Sequence, residues 1–585
     1  MGKKTLSALA VVAVAAIGAA TYFAGWLDGP SLPRRAQASN AASPDALRAH
    51  SRLFEKEILN PAPGIHLAVG YGLANSIMIE GTDGVLIIDT MESASRAKEV
   101  LAAFRKITTK PVAGIILTHN HTDHIFGGGV FAEGRDVPVY AHATTNAHID
   151  KIVNVLRDVI YYRAMRMFGQ LLAAADVINA GIGPNLEVDT ADIDLRRPTV
   201  TFDETMEATV AGIRFKLVHA PGETPDQLLV WLPDHKAVLA GDNIYESFPN
   251  LYTIRGTAYR DVMAWVGSLD KMRDLEPEIL VPSHTRPIVG AAKVAKTLTA
   301  YRDAIQYVHD QTIRGINKGM TADALAETIH LPKHLADHPW LQEFYGKVDW
   351  SVRAIFDGHL GWFSGDAVDL EPLPRREKAE RLAAAFKVGK PVAEQAQSAA
   401  KTAATLADWQ WVAELANTWM RLEPDSADAR ALLATAFDKK AALHANPNAR
   451  HYYQTQALEL RGEVHLTPLD PSRPPDDFIE NLPIDRFMAA MPTRLVAENT
   501  LDENTIAVFH FTDVDKTYSV HIRHGVAEVR ARAAKNPDLT FTTTTTTWKR
   551  IVSQKRNIAA AYAAGEISVD GGIGAALRFL SWFRE

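Results

Sequence analysis

Between residues 66 and 289 the chain alternates short apolar runs with amphipathic and polar stretches. Residues 76–80 and 85–88, and the run Val112-Ala113-Gly114-Ile115-Ile116-Leu117, have the length and aliphatic, β-branched content of buried strands. Residues 93–107 place their apolar side chains at helical spacing instead, with Ser93 where an N-cap belongs. Strands are predicted again over 213–218, 229–232, 237–240 and 279–281, the middle two joined by a turn at Pro233-Asp234. Helices and strands interleaved in this way predict an α/β sandwich. A helical stretch is expected over 146–179. The glycine-rich loop Gly181-Ile182-Gly183-Pro184-Asn185-Leu186 follows it and lacks the lysine of a phosphate loop, so it reads as a shaped turn or pocket wall.

The pattern then changes twice. Residues 378–462 are alanine-rich and helical, and 408–424 with 426–443 have the length of one antiparallel pair of tetratricopeptide type. Such a pair cannot bury its apolar face alone, so a partner surface is required. From Pro483 a meander is predicted over 505–511, 517–522 and 526–531, with turns at Asp513-Val514-Asp515 and His524-Gly525. A threonine-rich strand over 539–547 and further helices follow.

At the N-terminus, Lys3 and Lys4 precede the apolar run 6–27, which turns polar at Asp28-Gly29-Pro30; Ala36-Gln37-Ala38 offers a cleavage site. Residues 1–38 are thus expected to be a signal peptide or a membrane anchor of an exported, periplasmic protein. A chain of 585 residues that is 47% hydrophobic supports several cores. Its net charge of −7 gives no electrostatic case for nucleic acid. The absence of cysteine excludes disulfides, thiolate metal sites and a thiol nucleophile, so any metal must be held by His, Asp or Glu.

One segment carries most of the chemistry. Thr118-His119-Asn120-His121-Thr122-Asp123-His124 follows the strand at 112–117 and sets His119, His121, Asp123 and His124 in one loop. Imidazole and carboxylate suit borderline divalent ions such as zinc, and the spacing lets His119 and His121 face one ion while Asp123 and His124 face a second. Gly127-Gly128-Gly129 allows a tight turn just beyond. Asp89, ending the strand at 85–88, reads as a carboxylate that supports ligands.

This motif resembles the first metal motif of the metallo-β-lactamase superfamily. The resemblance implies further ligands at Glu223, Asp242 and His284, all at strand ends, with Asp242 in the place of a bridging carboxylate. A carboxylate at 223 rather than a histidine resembles the alkylsulfatase branch. So do Asn250-Leu251-Tyr252-Thr253-Ile254-Arg255-Gly256, His309-Asp310-Gln311-Thr312 and Leu360-Gly361-Trp362-Phe363-Ser364-Gly365 ahead of Leu373-Pro374. The branch implies an αββα metallo-β-lactamase sandwich over 46–310, an all-α dimerisation domain over 311–465 and an α+β sterol-carrier-like domain over 475–585. It also implies two zinc ions per chain, a homodimer, and hydrolysis of an amphiphilic alkyl sulfate to alcohol and sulfate, with Asn250, Arg255 and Arg302 in the substrate pocket. The chain departs from the pattern in a shorter 221–225 loop, in Asp rather than Glu at 242, and in Glu246 and Pro249 where histidines are usual. These departures leave the general acid unassigned and keep two alternatives open: a hydrolase of another ester (phosphoester, lactone or thioester), or a lipid-binding protein with an inactive metal site.

Overall fold

The computed structural model describes residues 44–583 apart from 152–154, 187–190, 366–370, 386–390, 466–471, 473 and 524. The expected signal or anchor lies outside these residues; among the described ones no helix is long and apolar enough to cross a membrane. A first sheet runs in order β1 (Glu57–Ala62), β2 (Ile65–Val69), β3 (Ser76–Glu80), β4 (Val85–Ile88), β5 (Val112–Ile116), β6 (Val139–His142) and β7 (Val200–Phe202). A second comprises β8 (Thr205–Val210), β9 (Ile213–His219), β10 (Leu228–Leu232), β11 (Ala237–Leu239), β12 (Ile279–Val281) and β13 (Ile288–Val289), hydrogen-bonded in that sequence.

Side-chain alternation explains the layering. Ile77 and Ile79 of β3, Leu86 and Ile88 of β4, and Leu228 and Val230 of β10 share one core between the two sheets. Met78 and Ile87 face the other way, onto Val100 and Phe104 of the helix Ala94–Phe104, whose Ser93 caps Arg96 N as the sequence predicts. On the far side Leu229, Val238 and Leu280 pack on Trp265 of the helix Val262–Asp274 and on Leu298 and Tyr301 of the helix Ala291–Ile316. This is the expected αββα sandwich.

The domain boundary at 310/311 falls inside the helix Ala291–Ile316. Leu325, Trp340, Val352 and Phe356 from the segment beyond it join the same core, so the catalytic body continues past that boundary. Of the helix expected over 146–179, the described residues show Thr145–Asp150 and Arg157–Met167, and the chain is no longer helical from Gly169 to residue 179. The segment Arg157–Met167 stops because Gly169 takes a left-handed conformation (φ 66°) against the His451 ring. The glycines at 127–129 serve close approach rather than a turn: a Cβ at Gly127 would collide with Thr90 O, and one at Gly129 with the Asp194 carboxylate.

The helices Leu406–Leu422 and Ala427–Leu443 match the predicted pair, with Thr405 and Ser426 as caps. The following helix Pro447–Arg461 docks this region on the sandwich, where Arg166 and Glu459 form a two-pronged ion pair at 2.9 and 3.0 Å. The last domain is a sheet in the order β16 (Val526–Arg530), β15 (Lys516–Arg523), β14 (Asn504–Phe511), β17 (Leu539–Thr543) and β18 (Ile567–Asp570). It is cored by Phe509, Phe541, Trp548 and Phe579. The threonine run does not stay extended: Thr544 caps Thr547 N and starts the helix Thr545–Val552, because a local cap outweighs β-propensity once pairing with β14 ends.

Candidate metal centre and substrate cavity

Strand direction assembles the site. β4 and β5 are parallel, as are β11 and β12, so each pair delivers both C-terminal ends to one edge of its sheet. Asp89 follows β4 and the His119–His124 loop follows β5, while Asp242 follows β11 and His284 follows β12. Two three-residue groups result, each able to hold a metal ion: His119, His121 and Asp242, and Asp123, His124 and His284.

Asp242 sits at their junction. Its Oδ2 lies 3.2 Å from His284 Nε2, 3.3 Å from His124 Nε2 and 3.6 Å from His119 Nε2. The ring nitrogens facing away are occupied: His124 Nδ1 meets Asp89 (2.8 Å), His284 Nδ1 meets Leu73 O (2.8 Å) and His119 Nδ1 meets the Thr118 hydroxyl (3.0 Å). Carboxylate and carbonyl oxygens only accept, so Nδ1 of His124 and of His284 carries the proton and Nε2 is turned inward. His119 Nε2, His124 Nε2 and Asp242 Oδ1 are buried without any hydrogen-bond partner. Orphaned polar atoms converging from the loops after β5 and β11 fit a divalent cation. Burial opposes charge here, yet Asp242, Asp123 and Asp89 hold the His124 imidazole well above its usual range, and His284, His124 and His119 hold Asp242 well below that of a carboxylate.

Asp89 is the hub beneath. Completely buried and with positive φ, it accepts from Thr118 N, Thr118 Oγ1, His124 Nδ1 and Ser283 Oγ at 2.8–2.9 Å, tying both strand pairs together.

Glu223, expected as a ligand, belongs to neither metal-capable group among the described residues. It borders the same cavity, but its carboxylate accepts from Arg260 Nη1 (2.9 Å), Asn250 Nδ2 (3.2 Å) and Tyr245 OH (3.3 Å). The buried Arg260 guanidinium thus gives the Glu223 carboxylate a countercharge. Asn250 is consequently a brace for Glu223 and not a wall of the cavity. Arg255 does face the cavity, with Nη2 donating to His121 Nε2 at 3.2 Å. Arg302 does not. The inward positions of its helix are Leu298, Tyr301 and Ile305, and Arg302 turns outward to Asp270 (3.1 Å) and Asp303 (3.1 Å).

The cavity, about 200 Å³, has His121, Asp123, Asp242 and Arg255 at one end. Ile160 and Phe168, together with Ile182 and Leu186 of the predicted pocket-wall loop, line it as well. Phe478, Leu482, Phe487 and Met491 of the last domain complete the apolar lining. Sequence reasoning missed Arg260 and Tyr345, which also faces the cavity. Arg260 stands five residues beyond Arg255 in a stretch with no spacing signal, and Tyr345 arrives from the helical region.

Three family models match: the metallo-beta-lactamase superfamily over residues 69–284, alkyl sulfatase dimerisation over 321–463 and the alkyl sulfatase C-terminal domain over 474–585. A linear primary-alkylsulfatase of Pseudomonas sp. (strain ATCC 19151) is 36% identical over 522 residues, 86% of this chain and 98% of that protein. An (R)-specific secondary-alkylsulfatase of Pseudomonas sp. is 28% identical, across 93% of this chain and 81% of that one. The solved structure of the inverting sec-alkylsulfatase Pisa1 from Pseudomonas sp. shares the fold, with a TM-score of 0.85 at 24% identity over 96% of this chain and 89% of that one. With its three-part layout, its metal-capable centre and a relative of this identity along nearly its whole length, the chain belongs to the alkylsulfatase family of the metallo-β-lactamase superfamily.

Proposed function

We propose that this protein is a binuclear zinc hydrolase that cleaves alkyl sulfate esters to alcohol and sulfate. The observation that carries the reading is the cavity itself, an apolar bore ending at two ligand groups and a guanidinium. His119, His121 and Asp242, and Asp123, His124 and His284, would each hold an ion, and the ions would supply hydroxide near neutral pH and positive charge for the sulfate oxygens. Arg255 offers planar, paired donors for two of those oxygens. The walls from Ile160, Phe168, Leu482 and Phe487 exclude water and accept the alkyl chain, so the last domain, read as sterol-carrier-like, contributes lipid affinity at the reaction site.

A homodimer is supported by the family model named for dimerisation and by apolar surface in and near that region: Trp362 is 72% exposed and Trp411 49%. Export to the periplasm, by a cleaved signal or an anchor, is supported by Lys3, Lys4 and the apolar run 6–27.

The test combines elemental analysis with a chain-matched panel of dodecyl sulfate, dodecyl phosphate and a long-chain lactone. Close to two zinc ions per chain and fastest turnover of the sulfate are expected, with Asp242→Ala losing both metal and activity. Faster turnover of the lactone would overturn the substrate, and metal-replete protein carrying at most one ion would overturn the binuclear centre.

A further inference from the structure

We propose that Tyr345 is the proton donor to the departing alcohol, an inference that rests on the sulfate-ester reading above. The residue is placed with care. Its loop pairs with the one carrying Asn250: Phe248 N donates to Gln342 O (2.8 Å) and Gly346 N to Phe248 O (3.1 Å). Gly346 lies so close to Pro249 O that no Cβ fits. From the other side Asn446 and Asn448 donate their amides to Tyr345 O at 3.1 and 3.3 Å. The ring stands edge-on to Tyr245 (5.9 Å, 85°), whose hydroxyl is already committed to Glu223.

Tyr345 is only 4% exposed, yet it lines the same cavity as His121, Asp123, Asp242 and Arg255, and Tyr245, which its ring meets, stands edge-on to His284 at 6.0 Å. Its carbonyl is held by Asn446 and Asn448, and its hydroxyl makes no hydrogen bond to a described residue, which leaves it available to a ligand in the cavity. The donors in or next to the metal-capable groups suit the step less well. Arg255 does not give up a proton, His121 belongs to a metal-capable group, and the Thr122 hydroxyl is a far weaker acid. Glu246 and Pro249 lie outside the cavity.

The step balances. Hydroxide forms a bond to sulfur, the bond between sulfur and the bridging oxygen breaks, and its electron pair goes to that oxygen as the Tyr345 proton is transferred to it. The hydrogen sulfate then returns its proton to the phenolate, leaving alcohol, sulfate dianion and neutral Tyr345. A phenol beside a strongly basic alkoxide gains most from this transfer, whereas an acidic alcohol leaves unaided.

The test compares octyl sulfate with 2,2-difluorooctyl sulfate, which match in length and differ in the acidity of the alcohol. Tyr345→Phe, which keeps the ring, is expected to lower kcat/KM for octyl sulfate by about 100-fold and for the difluoro ester by no more than a few-fold, with metal content and melting temperature unchanged. In ¹⁸O-labelled water the label should enter sulfate. Equal losses on both esters, no loss on either, or label in the alcohol would overturn the proposal while leaving the sulfatase reading intact. Failure of the wild type to hydrolyse either sulfate ester would overturn that reading as well.

Discussion

Replacing Asp89 by Asn tests whether one carboxylate organises the whole centre. It accepts four hydrogen bonds, three of them on Oδ2, where His124, Ser283 and the Thr118 hydroxyl converge, and one on Oδ1 from Thr118 N. An amide keeps the larger set only by putting its oxygen at Oδ2. Its NH₂ group then confronts the Thr118 N–H, donor against donor, in a completely buried site. One orphaned buried donor costs about 1–3 kcal/mol, and weakening three charge-assisted bonds adds to this, so the metal-free protein should lose on the order of 3 kcal/mol. The His124 ring loses its anionic tether at the same time. Changes of this kind typically lower metal affinity by about 10–100-fold, equivalent to roughly 1.4–2.7 kcal/mol. Asp89→Ala should be worse on both counts, since all four donors are stranded. Chelator competition measures affinity, and thermal unfolding of stripped protein measures stability. Asp89→Asn with unchanged metal affinity would refute the hub role even if stability fell.

Arg260→Ala should destabilise the protein by about 3–5 kcal/mol by leaving the Glu223 carboxylate buried without its countercharge, and adding Glu223→Gln should restore most of the loss in melting temperature. If the proposed function holds, Arg255→Ala should lower kcat/KM for dodecyl sulfate at least about tenfold with metal content unchanged, because that reading gives its guanidinium a charge-assisted contact with the sulfate oxygens. Burial pushes the Glu92 carboxyl up from 4.5 to about 8. The native state therefore holds a proton that the unfolded chain gives up above pH 4.5, and the stability tied to that proton is complete at lower pH and lost as pH rises toward 8. Glu92→Gln should flatten the fall in melting temperature across that window, and parallel curves for the two proteins would contradict the assignment.

Much of the fold could be read before the structure because its information is local. Strands β3 and β4, the cap at Ser93 and the pair of helices around residue 426 are set by side-chain period and by single polar residues. The His119–His124 loop was legible for the same reason, its ligands being neighbours in the chain. What escaped depends on distant partners. Glu223 is turned by Arg260, Arg302 by the rotation of its helix, and Tyr345 acquires its place from Asn446 and from the backbone at 248–249. The segment 539–547 was misjudged because threonine serves a strand and a helix cap equally well, and only the end of the β14 partner decides between them.

The division of ligands between the two sheets has a mechanical consequence. Each metal-capable group takes residues from the loop after β5 and one from the second sheet, Asp242 in one case and His284 in the other. An ion in either group therefore closes a loop of well over a hundred residues, roughly 120 between His121 and Asp242. In a chain without cysteine, this is the work that disulfides do in many exported proteins. By the chain-entropy argument, a tie across about 100 residues is worth roughly 4.7 kcal/mol. An ion bound in either group would then be a rivet as much as a reagent, and a chelator should loosen the sandwich along the seam between its sheets before the outer helices let go.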